Sequence, residues 1–232
     1  MKFIKPKKYI KQTKFVPSKK MGQNFLVNQN LLDSIKESID EQSFDAIIEI
    51  GPGLGALTKK LLEFNKPLYL IELDKRLYSY LNERLGKEKN IHIYNDDVLR
   101  FDLHQISDQY KKCIIIANLP YSISSLAIIK FLKTNNIKQM YCMLQKEVVR
   151  RLMSKPSHHE YNAFTCIFQH QAQCTNLLNV SAACFEPAPK VDSNFVLLTK
   201  KNKTEFNDKY DKFLKLAFLA KRKTLNNNLK HQ

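Results

Sequence analysis

The sequence predicts an α/β fold: a parallel sheet covered by helices on both faces, with a small helical piece appended at the C-terminal end. Three observations predict it. Short strand-like runs alternate with stretches of helical periodicity between Asn28 and Leu144, the pattern of βαβ units. One of those runs, Cys113-Ile-Ile-Ile-Ala117, is apolar throughout, as suits a strand buried on both faces. The first run breaks at Gly51-Pro-Gly53-Leu-Gly55 before a helical pattern resumes, and open sheets of this class hold ligands at such strand-to-helix turns.

Residues 1–20 read as a flexible basic arm. From Asn28, a residue type that caps helix N-termini, Leu31, Leu32, Ile35 and Ile39 recur at helical spacing. Ala46 to Ile50 is the first strand, and Leu57, Leu61 and Leu62 mark the helix after the glycine turn. Leu68 to Glu72 is the second strand, followed by a helix through Leu77, Leu81 and Leu85. Ile91 to Tyr94 is the third strand and Cys113 to Ala117 the fourth; a helix from Leu126 to Leu132 then leads to a fifth strand, Gln139 to Leu144. Ala163 to His170 fits either helix or strand. Leu177 to Ala182 and Phe195 to Thr199 read as two later strands flanking a proline-rich turn. Beyond Lys200, Tyr210, Phe213, Leu214, Ala217 and Phe218 give a helical pattern, and no internal repeat interrupts the chain. The expected division is an arm (1–20), a body (21–199) and a short, reduced or truncated, C-terminal helical subdomain (200–232).

Composition narrows the function. At 232 residues and 44% hydrophobic the chain can bury one large core, and its 10% aromatic content excludes a disordered polymer. Uninterrupted apolar runs reach only five residues, as from Cys113 to Ala117, which excludes a spanning helix and predicts no membrane partner. Of the net charge of +16, residues 1–20 supply eight Lys without an acid, and residues 200–232 supply ten Lys or Arg against three acids. The body is left nearly neutral, with 20 basic and 19 acidic groups, so the cationic ends predict a polyanionic partner, nucleic acid before membrane. No apolar segment follows the N-terminal lysines, which argues against a secretory signal. Five cysteines without a CxxC pair or zinc-ligand spacing read as reduced thiols, placing the chain in a bacterial-type cytoplasm, with an organelle matrix as the alternative. His158 and His159, adjacent in sequence, are expected to point different ways in a polar loop, and no metal site is predicted.

The candidate site lies at the carboxyl ends of the strands. The glycines of the first turn let a ligand approach the backbone where a helix begins. Glu72, ending the second strand, can accept both hydroxyls of a ribose. Asn95-Asp96-Asp97 ends the third strand, where a carboxylate can accept from an adenine amino group. Together these predict a nucleoside cofactor. The glycine spacing differs from the dinucleotide fingerprint, which disfavours a nicotinamide dehydrogenase. After the fourth strand comes Asn118-Leu119-Pro120-Tyr121. It resembles the Asn/Asp-Pro-Pro-Tyr signature of methyltransferases acting on exocyclic amines. An aryl amine is a poor nucleophile because its lone pair is delocalised into the ring. The Asn118 side-chain oxygen and a backbone carbonyl of the turn can hold its two hydrogens and localise that pair. Pro120 stiffens the turn, and Tyr121 offers a face on which a base can stack.

The chain also resembles the ribosomal RNA adenine dimethyltransferase family, in seven segments that fall in the family's order. These are Gly22-Gln-Asn-Phe-Leu26, Glu49-Ile-Gly-Pro-Gly-Leu-Gly55, Ile71-Glu-Leu-Asp74, Asn118 to Tyr121, Leu144-Gln-Lys-Glu-Val148, Phe185-Glu-Pro-Ala-Pro-Lys-Val-Asp-Ser193 and Lys221-Arg-Lys-Thr-Leu225. The resemblance implies a Rossmann-like S-adenosylmethionine-dependent methyltransferase sheet and adenine in ribosomal RNA as acceptor. It implies cofactor contacts from Gln23, Asn24, Leu26, Gly51, Gly53, Glu72, Asp97 and Asn118. Asn118, Leu119, Pro120 and Tyr121 would form the catalytic turn, with Phe185 expected as an exposed aromatic that sandwiches the flipped base against Tyr121. Asp96 stands where the family commonly has glycine, so either Asp96 or Asp97 could meet the cofactor's adenine, alignment favouring Asp97. Lys19, Lys20, Lys190, Lys221, Arg222 and Lys223 are the candidate RNA contacts. The Leu119 variant of the turn and the Pro-Lys-Val-Asp run resemble the branch that modifies adjacent adenines of small-subunit RNA, which implies a monomer acting on the immature small ribosomal subunit. The alternatives are the large-subunit methylase of the macrolide-resistance type and a non-catalytic nucleic-acid-binding relative.

Overall fold

Alternate residues of the strand Ala46–Ile50 enter two different hydrophobic cores, which is what places it in the middle of a sheet. In the computed structural model, which describes residues 3–4, 6–18, 20–201, 207–220 and 223–230, the chain forms ten α-helices and nine strands among those residues. In order these are α1 (Pro6–Thr13), β1 (Phe25–Leu26), α2 (Gln29–Glu37), β2 (Ala46–Ile50), α3 (Ala56–Leu61), β3 (Leu68–Glu72), α4 (Lys75–Leu85), β4 (Ile91–Asn95), α5 (His104–Ser107) and β5 (Cys113–Asn118). There follow α6 (Ser124–Lys133), β6 (Ile137–Gln145), α7 (Lys146–Leu152), α8 (Ala163–Gln171), β7 (Ala172–Val180), β8 (Phe185–Glu186), β9 (Ser193–Lys200), α9 (Asp208–Ala217) and α10 (Leu225–Leu229).

Seven strands make one sheet in the order β4-β3-β2-β5-β6-β9-β7. The first five are parallel; β9 runs antiparallel to β6, and β7 antiparallel to β9. Strand order reverses between β2 and its neighbours β3 and β5, so the crevice beyond their carboxyl ends is the topological switch point. Ile47, Leu68, Leu70 and Ile116 face one core with Leu32 and Ile35 of α2, Leu57 and Leu61 of α3 and Leu77 and Leu81 of α4. Ile48, Ile50, Ile115 and Ala117 face the other with Ile106, Ile128 and Phe131. The predicted cap at Asn28 is made: its Oδ1 accepts the Leu31 N–H at 3.0 Å.

The elements read from periodicity are present, most with ends shifted by one to three residues. The ambiguous segment is α8, begun by a capping box in which Asn162 and Thr165 bond each other's backbone N–H. β7 starts at Ala172, well before the expected Leu177, because an edge strand tolerates polar residues such as Gln173 and Asn176 that hide its period. α7, which begins inside the Leu144 to Val148 segment, was not anticipated; its stripe of Val148, Val149 and Leu152 is too short to declare a period. His158 and His159 do not diverge as expected. Their rings lie 4.4 Å apart, and ligand atoms of both and of Glu160 fall within 4.8 Å of one another, although Glu160 already pairs with Arg150 at 3.2 Å.

The arm also departs from expectation. Residues 6–13 are helical, and the segment lies against the body instead of hanging free. Tyr9 meets Tyr80 edge-on at 4.7 Å, and the buried Phe15 sits beneath the Arg76 guanidinium at 4.3 Å and beside Phe25. The Phe3 ring covers Gly55 so closely that a Cβ there would collide with it. The lysines of the arm concealed these aromatic anchors, each worth about 0.5–1.5 kcal/mol beyond its burial when paired with another ring. At the other end, α9 follows Asn207, whose side chain accepts the N–H groups of Lys209 and Tyr210, and Tyr210 meets the His170 ring of α8 at 5.0 Å.

Candidate active site

A cleft at the switch point is walled by three strand ends and by the segment Met21 to Leu26. It gathers Gln23, Asn24, Leu26, Gly51, Gly53, Glu72, Asp96, Asp97, Asn118 and Pro120 around about 910 Å³ of empty space.

The turn after β2 holds Gly51, Gly53 and Gly55 at φ of +67°, +59° and +76°, a conformation open to glycine at no steric penalty. A side chain at Gly53 would also strike the Phe25 ring at 3.0 Å. The Gly53 N–H donates to Glu72 Oε2 at 3.0 Å, and the Asp74 N–H donates to Oε1 at 2.9 Å. Glu72 is therefore fixed before any ligand arrives. Burial pushes its carboxyl up to about 7 against those two backbone bonds.

Glu49 was missed as a separate candidate, although a charged residue inside an otherwise apolar strand was the available signal. It is 2% exposed, lines the cleft, and its Oε2 has no hydrogen-bond partner among the described residues. Burial pushes it up to about 8. Leu73, 51% exposed at the end of β3, also lines the cleft; an apolar residue after a strand gives no sequence signal. Beyond β4, the Asp96 and Asp97 side chains accept the N–H groups of Asp97 and Leu99, and both residues face the cleft. Asn95 bonds the backbone carbonyls of Glu72 and Leu73, tying the second and third strand ends together.

The turn after β5 is held from the N-terminal side. Asn118 Nδ2 donates to the Asn24 carbonyl at 3.1 Å, which orients the amide and leaves its oxygen as an acceptor. Gly22 lies against Pro120, with room for a Cβ only at 3.0 Å from the ring. Gln23 accepts the Ser18 N–H at 2.7 Å and donates to Asp74 Oδ2 at 2.8 Å, so its amide pins the wall while the residue lines the cleft. The Pro120 carbonyl is taken by the Ile123 N–H and that of Tyr121 by the Ser124 hydroxyl, which leaves the Leu119 carbonyl as the turn's free acceptor among the described residues. The Leu119 side chain is itself core, 3% exposed, so its part in the turn is played by backbone. The Tyr121 hydroxyl is fixed by the buried Ser193 at 2.9 Å.

One expectation is corrected. Phe185 is not exposed on its loop. At 3% exposure it belongs to the core, because β8 pairs antiparallel with β1 and sets Phe185 opposite Leu26. A sandwich with Tyr121 is absent from this arrangement. Of the candidate RNA contacts, Lys20, Lys190 and Lys223 are solvent-exposed, whereas Lys19, Lys221 and Arg222 lie outside the described residues. No helix among the described residues is long and apolar enough to cross a membrane.

This sheet, with its ligand cleft at the switch point, defines an α/β methyltransferase. The crystal structure of the 23S rRNA methyltransferase ErmE shares the fold at a TM-score of 0.71 and 22% identity, over 90% of this chain and 84% of that one. The chain belongs to the ribosomal RNA adenine dimethylase family, whose model matches residues 15–232. Ribosomal RNA small subunit methyltransferase A of Malacoplasma penetrans (strain HF-2) is 43% identical over 227 residues, spanning 96% of this chain and 81% of that protein. A dimethyladenosine transferase from Plasmodium falciparum superposes at a TM-score of 0.77 with 32% identity, over 90% of this chain and 75% of that chain.

Proposed function

We propose that this enzyme transfers methyl groups from S-adenosylmethionine to the exocyclic amines of adjacent adenines in small-subunit ribosomal RNA, as a monomer acting in the cytoplasm during ribosome assembly. The observation that carries this reading is the Asn118 to Tyr121 turn at the cleft mouth, with the Asn118 oxygen and the Leu119 carbonyl both left as acceptors.

The residues present suit the cofactor. Glu72 stands ready for a ribose diol, Leu73 and the Asp96–Asp97 turn for an adenine, and the unpartnered Glu49 oxygen for the ammonium of the methionine end. When bound, S-adenosylmethionine supplies an electrophilic methyl on a sulfonium. Asn118 and the Leu119 carbonyl hold the two amine hydrogens and aim the nitrogen lone pair into the cleft. Tyr121, braced by Ser193, provides the stacking face. No strong base is needed beforehand, because the amine becomes a ready proton donor once methylated. Lys20, Lys190 and Lys223, with Lys19, Lys221 and Arg222, are assigned to ribosomal phosphates.

The deciding experiment is methyl transfer from labelled cofactor to immature small subunits, with the modified nucleotides mapped by primer extension. Modification of two adjacent small-subunit adenines is expected. A single large-subunit adenine would assign the resistance-type specificity instead, and no product with any ribosomal RNA would refute the enzyme.

Two further outcomes follow from the site. Glu72 and Glu49 titrate near about 7 and about 8 in the free protein, and each is a better partner for its ligand group when ionised. Cofactor binding therefore releases protons. Affinity should rise with pH up to about 8 and level off above, by as much as roughly tenfold per unit between about 7 and about 8 and roughly a hundredfold per unit below about 7, where both carboxyls must lose a proton. Calorimetry in buffers of different ionisation enthalpy reads this directly, and a pH-independent Kd would contradict it. Deleting residues 1–17 should weaken cofactor binding as well as RNA binding, since Phe3 covers Gly55 and Phe15 supports Phe25. A deletion that lowers only RNA affinity and its salt dependence would return the arm to a purely electrostatic role.

A further inference from the structure

A second cleft lies between α7 and the antiparallel end of the sheet, and the cofactor has no use for it. Its floor is a triad of amides. The Asn194 Nδ2 donates to Asn176 Oδ1 at 2.9 Å and to Asn179 Oδ1 at 2.6 Å, while Asn194 itself is buried. Residues three apart on a regular strand face opposite ways. Here the register of β7 against β9 slips between Asn176 and Leu178, and the inserted residue turns both asparagines to the same face. After these bonds Asn194 keeps an unpartnered amide oxygen and Asn179 an unpartnered amide nitrogen among the described residues. One wall is the Met153 side chain, 51% exposed, and the rim carries Lys146, Lys155 and Arg150, the last paired with Glu160 through its Nε and so leaving the rim net positive. An amide floor, an apolar wall and a cationic rim match the edge, face and phosphate of one nucleotide.

The position of the cleft gives the nucleotide an identity. Asn194 follows Ser193, the residue that braces Tyr121, and Ser193 pairs with Gln145 immediately before α7. The cleft thus opens on the opposite face of β9 from the Ser193–Tyr121 contact, one residue along at the same end of the sheet. We propose that it holds the nucleotide next in the strand to the target adenine, with the base edge on the unpartnered amide atoms of Asn179 and Asn194, the base face on Met153, and the phosphate on Lys155 and Arg150. This rests on the function assigned above, and it makes these residues determinants of which adenine enters the catalytic turn.

The test uses the full chain. Asn176 and Asn179 are exposed, so the double variant Asn176→Ala/Asn179→Ala should fold with the cofactor Kd unchanged, its thermal midpoint lowered only by the loss of the two bonds from Asn194. Its KM for small-subunit RNA should rise about tenfold, the scale of one lost bidentate base contact. Arg150→Glu should flatten the salt dependence of RNA binding by about one phosphate contact. A benzophenone amino acid in place of Met153 should cross-link the nucleotide flanking the methylated adenine. An unchanged KM and salt slope in variants that still transfer methyl, or a cross-link mapping elsewhere, would overturn the proposal. Should the unmodified protein transfer no methyl to any ribosomal RNA, the functional reading falls, and affinity for single-stranded RNA then decides the cleft: equal affinity in the double variant overturns it.

Discussion

Asn118→Ala should lower kcat by at least about a hundredfold while changing cofactor affinity only a few-fold. The amide oxygen is one of two acceptors holding the amine. Removing one preorganised hydrogen-bonding group from a reacting centre typically costs about 10²–10³ in rate. The amide nitrogen contributes separately, since its bond to the Asn24 carbonyl joins the turn to the N-terminal wall. Asn118→Asp distinguishes the two roles. It restores an acceptor but places a carboxylate oxygen against the Asn24 carbonyl, so it should recover part of the rate and lower the thermal midpoint. Single-turnover kinetics with saturating cofactor separate the chemical step from binding. A kcat within a few-fold of the unmodified enzyme would show that the amine is held by other groups.

The second large effect is at Glu72. Glu72→Gln should raise the S-adenosylmethionine Kd by about a hundredfold, because a hydrogen bond to a charged acceptor contributes roughly 1.5–3 kcal/mol and the ribose offers two hydroxyls. The substitution also turns an amide NH₂ toward either the Gly53 or the Asp74 N–H, which now have one acceptor oxygen between them. kcat at saturating cofactor should stay within a few-fold, since Glu72 does not touch the amine. The variant should lose the portion of the pH dependence near about 7 and keep that of Glu49 near about 8. Calorimetric titration checks both features, and an unchanged Kd would remove Glu72 from the cofactor site.

Much of this site was legible in the sequence because strand ends in a parallel sheet converge. Gly51, Glu72, Asp97 and Asn118 are far apart in the chain, yet each follows a short apolar run, and the sheet topology brings them together. What stayed hidden depends on contacts that no period encodes. The arm carried the expected lysines, but Phe3, Tyr9 and Phe15 fall six apart, a spacing that matches no single helical face and so did not announce their packing. Phe185 was read as exposed because prolines follow it, and only its pairing with Leu26 across the whole chain shows otherwise. Leu119 occupies a motif position through its carbonyl, while its side chain answers to the core. The amide triad was equally silent, since it depends on a one-residue slip in an edge strand.

The short ladder between β1 and β8 sets a condition on how the protein comes into being. Phe25 and Leu26 help wall the cleft, and their strand partners are Phe185 and Glu186, about 160 positions later in the chain. During synthesis every motif from Gly22 to Tyr121 can leave the ribosome while the N-terminal wall still lacks its pairing strand. A nascent chain halted before Phe185 carries the glycine turn, the ribose acid and the catalytic turn, but not the strand that pairs with Phe25 and Leu26. The pairing of the cleft's N-terminal wall is therefore completed late, when the last third of the polypeptide folds back on its beginning.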